Sequence, residues 1–451
     1  MSSGDATLQL IRLSVFLIGA TVLVTLLARR INLPYTVALV AFGIVAGALA
    51  QPLQVDITPQ LVLVVLLPAL TFEATYQTDF AKLRPSLTGV ALLAGPGVFI
   101  SAALIAAAMH FGAGLDWPES IVVGAMLSAT DPAAVIATFK RLRSPRRLAT
   151  LVEAESVFND GTGIVIFALA VDFVSRPVGP AEVGLAFVSV VLLSVALGAV
   201  TGYVASRILP IVGDHLLEVS LSVVLAYGTY LVADGFHQSG VIATAVAGIV
   251  LGTYGRRNGL SPKTEEALDT VWEFVAFLAT AFIFLVVGFS IAVRSLVDVT
   301  TPIVWAVAAT LVGRVVIVYG LLGGWRMFLR ARHARRPAVA ASGKVVRDEA
   351  VLPLGWMHVI FWSGLRGAVS TALALSLPLD FPHRAELQSI TFGVVLFTLV
   401  VQATTAELVL ARWGRKPADE GGSGSAKSKA GKKPRPSAAP ASPPTDTGSQ
   451  S

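Results

Sequence analysis

The sequence predicts an all-α polytopic membrane protein with about 13 transmembrane helices, arranged as an inverted repeat in which the fifth and twelfth helices are discontinuous and cross. Three observations predict this class. Apolar residues make up 55% of the chain and charged residues only 14%, whereas a soluble domain is about 25% charged. The apolar residues fall into runs long enough to cross a bilayer. Two of these runs combine helix-breaking residues with ionisable ones.

The apolar runs, of roughly 18 to 28 residues each, define the predicted spans. Cysteine is absent, which excludes disulfides, thiolate metal sites and cysteine nucleophiles. Numbered 1 to 13 in chain order, the spans lie near residues 8–28, 33–50, 60–77, 86–111, 118–139, 147–175, 181–208, 217–234, 238–254, 267–293, 301–328, 353–377 and 387–411.

Basic residues alternate with the spans. They follow spans 1, 3, 5, 9, 11 and 13, and include Arg29, Arg30, Lys82, Arg84, Lys140, Arg141, Arg256, Arg257, Arg330, Arg335, Arg412 and Arg415. The opposite loops are short and neutral or acidic, with Asp56, Asp116, Glu119, Asp234 and Asp298. Because cytoplasmic loops carry the excess of Lys and Arg, this pattern predicts an external N-terminus and a cytoplasmic C-terminus. The short loops favour a bacterial inner membrane.

Domain organisation follows from the same pattern. Residues 1–412 are predicted to form one transmembrane domain. Its two halves lie at about 8–175 and 217–411 and are joined by span 7. Residues 413–451 are Gly, Ser, Pro, Lys and Ala with almost no large apolar side chain. Such a segment cannot bury a core, so a disordered basic cytoplasmic tail is predicted. The basic segment 329–350 is interpreted as a cytoplasmic loop.

Span 6 carries the most informative polar cluster. Glu155 and Asn159 are four residues apart, as are Ser156 and Asp160, so each pair lies along one face of a helix. Serine and asparagine alone could form a polar contact between helices. Two carboxylates on consecutive turns are costly within a bilayer and therefore indicate function.

Spans 5 and 12 each carry a predicted break. Pro132 follows Asp131 and should interrupt span 5 and free the carbonyl group of Ser128, although a simple proline kink remains the alternative. Span 12 contains Ser363-Gly364-Leu365-Arg366-Gly367. Arg366 can neutralise the negative C-terminal ends of half-helices. Interrupted helices in corresponding positions of two halves are typical of secondary transporters.

Three further ionisable residues lie within or near the spans. Arg314 lies in the middle of span 11 and needs a buried anionic partner. Glu155 is the candidate partner, because Asp160 is taken as the carboxylate that functions in chemistry and has to remain unpaired. Glu73, near the end of span 3, either lines a route to the polar cluster or is an interfacial carboxylate. His358 in span 12 is interpreted as a core histidine rather than a pH sensor.

Taken together, these segments resemble the cation:proton antiporter family, in its electroneutral branch of NhaP-type antiporters and animal sodium/proton exchangers. The similarity runs from about residue 8 to 411. The segments that carry it are PALTFEA at 68–74, SATDPAAV at 128–135, ESVFNDG at 155–161 and SGLRGA at 363–368.

The resemblance implies a role for each residue of the cluster. Asp160 is implied to be the carboxylate that alternately carries a proton or a cation. The implied Na+ site consists of Asp160, Asp131, Thr130 and Ser156, with Glu73 assisting.

The resemblance also implies stoichiometry and assembly. Electrogenic relatives carry a second aspartate at the position of Asn159, so asparagine there implies one-for-one exchange. Glu155 and Arg314 are implied to form a structural ion pair, and Arg366 to stabilise the crossed helices. The family is homodimeric. No cofactor is expected beyond the transported ions, and no nucleic-acid partner.

Several functions remain open at this point. Potassium/proton exchange is the closest competitor to Na+ or Li+ exchange. A cation channel could use the same oxygen ligands but would not move protons obligatorily. An organic-anion transporter should present arginines without an Asn-Asp centre. An enzyme is disfavoured because the sequence contains no zincin motif, serine elbow or phosphate loop.

Overall fold

The computed structural model of the chain describes residues 3–31, 33–49, 60–77, 87–142, 144–175, 180–290, 293–334 and 352–414. Every regular element in these residues is a helix. The basic residues Lys82 and Arg84, most of the loop 329–350 and the tail from residue 415 lie outside the described part of the chain.

The helices of the described part make thirteen passes in the predicted order. Seven of them are uninterrupted, long and apolar enough to cross a membrane. A short helix at Val293–Asp298 was not predicted. The passes are Ser3–Arg30, Tyr35–Leu49, Leu61–Tyr76, Leu87–Ala113, Trp117–Met126 with Ala133–Arg141, Arg146–Ser175, Pro180–Val212, His215–Gly235, Gly240–Val250, Pro262–Ser290, Thr300–Phe328, Leu354–Trp362 with Ala368–Leu375, and Arg384–Trp413.

Capping residues explain why spans 8 and 9 begin where they do. Asp214 accepts a hydrogen bond from the backbone N–H of Leu216 at 2.8 Å. Ser239 accepts one from the N–H of Ile242 at 3.3 Å. The first N–H groups of a helix have no partner within it, so an Asp or Ser side chain at this position stabilises the start of the helix.

Both predicted breaks are present. Span 5 stops at Met126 and resumes at Ala133, and span 12 stops at Trp362 and resumes at Ala368. The non-helical stretches meet, because the N–H of Asp131 donates to the carbonyl of Leu365 at 2.8 Å. Backbone groups that the breaks release from their helices therefore bond to each other, which is how non-helical backbone is tolerated at membrane depth.

The spans pack as two groups. Spans 1–3 and 7–10 contact mainly one another, and so do spans 4–6 and 11–13. One apolar cluster, around Trp272 and Phe72, lies wholly within the first group. A second, around Trp356 and Phe139, lies wholly within the other. We call spans 1–3 and 7–10 the outer group, and spans 4–6 and 11–13 the break-containing group.

Within the outer group, spans 2 and 10 approach unusually closely. A Cβ atom at Gly43 would lie 2.6 Å from the carbonyl oxygen of Leu285 and 2.7 Å from the Cα of Gly288. Real Cβ atoms do not approach this closely, so glycine is required where the two backbones touch.

Candidate functional site

Arg366 lies at the crossing of the two interrupted spans and is only 1% exposed. Its Nη1 donates to the carbonyl oxygens of Ser128 and Ala129, at 2.9 and 2.7 Å. These oxygens follow the C-terminal end of the first half of span 5, where a helix leaves carbonyls unpaired and partially negative. The guanidinium group therefore replaces the hydrogen bonds that the break removes.

Asp131 bonds across the crossing in the opposite direction. Its Oδ2 accepts a hydrogen bond from the N–H of Ala368 at 2.9 Å, at the start of the second half of span 12. A Cβ atom at Gly367 would overlap this carboxylate, which explains the glycine. Asp131 directly precedes the second half of its own span, Ala133–Arg141, and its side chain caps the other interrupted helix.

Thr398, which the sequence analysis missed, completes the break in span 12. Its hydroxyl accepts from the N–H of Arg366 at 3.2 Å and donates to the carbonyl of the same residue at 2.9 Å. A threonine in an apolar span is usually ordinary core, and only the fold reveals that this one faces unpaired backbone.

Arg314 and Glu155 form a bidentate ion pair beside the crossing. Nη1 lies 2.8 Å from Oε1 and Nη2 lies 3.1 Å from Oε2. Nη2 also donates to the carbonyl of Ile360 at 2.8 Å. A Cβ atom at Gly364 would lie 2.5 Å from Nε of Arg314, so this glycine leaves room for the guanidinium group.

Polar side chains of span 6 attach to Thr130 in the break of span 5. Ser156 Oγ donates to the Thr130 carbonyl at 2.6 Å. Asn159 Nδ2 donates to Thr130 Oγ1 at 3.0 Å and to Glu155 Oε1 at 3.4 Å. The structure therefore brings four of the predicted residues into one connected network.

Asp160 is the carboxylate that this network leaves unengaged. Its Oδ1 is buried and has no hydrogen-bond partner in the described part of the protein. The carboxylates of Asp131 and Glu155 and the guanidinium of Arg366 lie within electrostatic range of it. A buried oxygen without a partner is unfavourable, and here it belongs to a carboxylate with other charged groups close by.

Glu73 lies on span 3, in the outer group. The side chain of Tyr35, at the start of span 2, interacts electrostatically with both Glu73 and Asp131 and bonds to Thr280. Tyr35 therefore lies in the outer group but within electrostatic range of the crossing, which the sequence analysis did not anticipate. In the described part of the chain, no group of three or more His, Asp or Glu residues is placed to hold a resident metal ion.

Comparison with known proteins places this arrangement in a family. The family described as "Sodium/hydrogen exchanger, transmembrane" matches residues 17–412. The chain belongs to this family. As a sodium/hydrogen exchanger family member it is a transporter and not an enzyme, and its relatives need no cofactor.

Two relatives illustrate how far the similarity extends. The Na(+)/H(+) antiporter ApNhaP of Aphanothece halophytica is 35% identical over 390 residues, which are 85% of this chain and 70% of that protein. The Na(+)/H(+) antiporter NhaH of Halobacillus aidingensis is 35% identical over 412 residues, covering 88% of this chain and 96% of that protein.

The fold is similar to that of the sodium proton antiporter MjNhaP1 from Methanocaldococcus jannaschii at pH 8. The TM-score is 0.70 at 18% sequence identity, over 91% of this chain and 99% of that chain. This likeness confirms the predicted fold class, and the family match over residues 17–412 confirms the predicted family.

Proposed function

We propose that the protein is a secondary active antiporter that exchanges Na+ or Li+ for H+, one for one, with Asp160 as the shared carrier. The observation that carries this proposal is the buried, unpartnered Oδ1 of Asp160 beside two interrupted helices. An empty, ionised carboxylate is costly inside a membrane, and either a proton or a monovalent cation neutralises it. The two ligands therefore compete for one group, and this competition couples their movements.

The oxygen atoms around Asp160 fit a hard cation. Asp131, the Thr130 carbonyl and the Ser156 hydroxyl surround the break in span 5, and hard cations prefer oxygen ligands. Thr130 and Ser156 already contact each other, which fixes the spacing of two neutral ligands before the ion arrives. The transported Na+ is the substrate and not a resident metal.

The charges near Asp160 support electroneutral exchange. Three carboxylates, those of Asp160, Asp131 and Glu155, lie with two guanidinium groups, those of Arg314 and Arg366. This set carries one net negative charge when Asp160 is ionised and none once a proton or Na+ has bound. Asn159 adds no second titrating carboxylate next to Asp160.

The two groups of spans support alternating access as the mechanism. Every predicted site residue except Glu73 lies in the break-containing group, so rocking of this group against the outer group would carry the site between the two faces. We further propose a homodimer in a bacterial inner membrane, with an external N-terminus and a cytoplasmic C-terminus. K+/H+ exchange is the alternative because pocket dimensions decide ion choice.

The test is proton movement in proteoliposomes that contain the purified protein. A pH gradient is imposed and Na+, Li+ or K+ is added in turn to wild type, Asp160→Asn and Asp172→Asn. Asp172 is an exposed carboxylate on the same helix and serves as the matched control. We expect Na+ or Li+ to collapse the gradient for wild type and the control, independently of membrane potential, and not for Asp160→Asn.

Two results would contradict the proposal. A response to K+ alone would replace Na+ by K+ as the cargo. An Asp160→Asn variant as active as wild type would remove Asp160 as the carrier. The competition itself predicts that raising the external pH increases the apparent affinity for the cation, and a pH-independent affinity would refute it.

A further inference from the structure

A small polar cavity lies behind the crossing. Its volume is about 10 Å³, close to the minimum of roughly 10–15 Å³ that one water molecule requires. The polar side chains in its wall come from five different spans and include Ser101, Ser128, Asn159, Arg314 and Arg366.

Two residues of this wall each carry a buried side-chain atom that has no hydrogen-bond partner in the described structure. These atoms are Nε of Arg366, a donor, and Oδ1 of Asn159, an acceptor. The two residues are 1% and 2% exposed. Buried polar groups are almost always paired with protein or with ordered water. An unpartnered donor and an unpartnered acceptor on two residues that line the same cavity therefore indicate a molecule that bridges them.

The orientation of the Asn159 amide is determined by its neighbours. Its other terminal atom lies 3.4 Å from Glu155 Oε1, and Glu155, paired with Arg314, is an acceptor only. That atom must therefore be the donating nitrogen, which turns Oδ1 away from Glu155. A flipped amide would place two acceptors against each other.

Ser101 of span 4 supplies a third partner. Its hydroxyl accepts from Nη2 of Arg366 at 3.3 Å and can donate its own proton into the cavity. Ser101 is 3% exposed, and neither the motifs nor the proposed ion site includes it.

We propose that the cavity holds one resident water molecule. This water accepts hydrogen bonds from Nε of Arg366 and from the hydroxyl of Ser101, and donates one to Oδ1 of Asn159. Three hydrogen bonds are typical of a buried water. Two guanidinium groups in the wall disfavour a cation, and the unpartnered acceptor Oδ1 of Asn159 disfavours an anion.

The water has a positioning role. It holds the amide of Asn159, which in turn bonds to Thr130 beside the proposed cation, while Ser101 lines the cavity and leaves room for the water. This consequence rests on the proposed function, whereas the presence of the water does not.

The direct test is a high-resolution map of the wild-type protein in lipid nanodiscs. We expect one ordered water peak between Arg366, Ser101 and Asn159. An empty cavity would overturn the proposal. So would a peak that exchanges with bromide, because it would identify an anion.

Two substitutions at Ser101 then separate the water from the hydroxyl. Ser101→Val fills the cavity and expels the water, whereas Ser101→Ala leaves room for it. We expect Ser101→Val to raise the KM for Na+ about tenfold, the worth of one or two hydrogen bonds, with Vmax retained and the pH profile shifted. Ser101→Ala is expected to stay within about twofold of wild type.

Thr310→Val is the matched control, because Thr310 is a buried hydroxyl of span 11 without a partner in the described structure and lies outside the cavity wall. It should transport like wild type. Equal KM values for Ser101→Val and Ser101→Ala would overturn the positioning role. If wild type transports no cation, the proposed function fails while the water peak still tests the site.

Discussion

At the scale of a single residue, Asp131 combines an observed cap with a proposed role in cation binding. One of its oxygens caps the second half of span 12, and its negative charge lies within range of Asp160. Capping needs only an acceptor atom, whereas cation binding needs the charge. The two roles can therefore be separated by chemistry at one position.

We predict that Asp131→Asn separates them. The amide oxygen can still accept from the N–H of Ala368, so the thermal unfolding temperature should stay within a few degrees of wild type. Transport should fall by at least about tenfold, equivalent to about 1.4 kcal/mol, because the charge balance around Asp160 is lost. Asp131→Ala, which removes both, should also unfold at a clearly lower temperature. Equal unfolding temperatures for the two variants would show that the cap is unimportant.

The sequence predicts charged residues of the site better than neutral ones. Arg314 and Glu155 stand out because a charge in an apolar span needs a partner. Thr398, Ser101 and Tyr35 do not, because a hydroxyl in an apolar span can bond to its own helix, as Thr391 does to Leu387. Which hydroxyl faces unpaired backbone depends on helix rotation and packing.

At the scale of elements, the break in span 12 depends on two glycines for different reasons. Gly364 leaves space for Arg314, and Gly367 leaves space for Asp131. Neither has a positive φ, so both are needed for close approach and not for backbone conformation. The two glycines let span 12 lie against spans 5 and 11.

We predict that Gly367→Ala lowers the free energy of unfolding by about 1–3 kcal/mol, as overpacking does, because its methyl group overlaps Asp131. Transport should fall with it. Gly320→Ala is the control, since a Cβ atom at Gly320 meets nothing within 4 Å. Thermal unfolding in detergent measures the stability of both variants. A Gly367→Ala variant as stable as Gly320→Ala would mean that the crossing can accommodate the added methyl group without strain.

A second link between elements responds to pH. His383, in the turn before span 13, contacts Glu119 at the start of span 5, with Nδ1 and Oε1 2.6 Å apart. This hydrogen bond raises the pKa of His383, and the nearby Glu386 and Asp116 raise it further. A raised pKa means that the link stabilises fully below the ordinary histidine pKa of about 6.5 and is lost as pH rises through the raised value.

We therefore predict that His383→Gln lowers the unfolding temperature at pH about 6 and has progressively less effect at higher pH. The comparison of wild type and variant across pH isolates this residue from the other titrating groups. His237→Gln is the control, because His237 is a turn histidine with a positive φ like His383. A constant difference between wild type and His383→Gln at all pH values would contradict the prediction.

The elements themselves were largely predictable. Hydropathy and the charged loops locate all thirteen passes to within a few residues, because a bilayer imposes length on every helix. Pro132 and the Gly-Arg-Gly pattern mark both breaks. Sequence periodicity does not show that Asp131 caps the other broken helix, because this contact joins residues more than two hundred positions apart.

At the scale of the whole molecule, the division into two groups is the feature on which the proposed alternating access depends. One apolar cluster crosses between the groups, while each of the other two stays within one group. Gly161, next to Asp160, faces Ile242 of span 9 across the boundary, where a Cβ atom would lie 3.3 Å from Cγ1. This contact must change if the groups move relative to each other.

We predict that a cross-link over this boundary stops transport reversibly. The chain has no cysteine, so Gly161→Cys with Ile242→Cys can be joined by oxidation or a short thiol-reactive cross-linker. The control pair, Gly89→Cys with Leu322→Cys, lies within the break-containing group, where the corresponding distance is 3.6 Å. Transport should stop and recover on reduction only for the first pair. Undiminished transport by the fully cross-linked first pair would exclude movement of one group against the other.

The position of Glu73 has a consequence for the direction of transport. Glu73 and Tyr35 belong to the outer group, whereas Asp160 belongs to the break-containing group, which moves in the proposed mechanism. In that mechanism, a carboxylate of the outer group would contribute to ion binding on one face of the membrane only. The two faces of the membrane should then bind the cation with unequal affinity. Cation loading would be favoured from the face at which Glu73 is within reach of the site. Replacing one carboxylate would make the exchanger symmetric without stopping it.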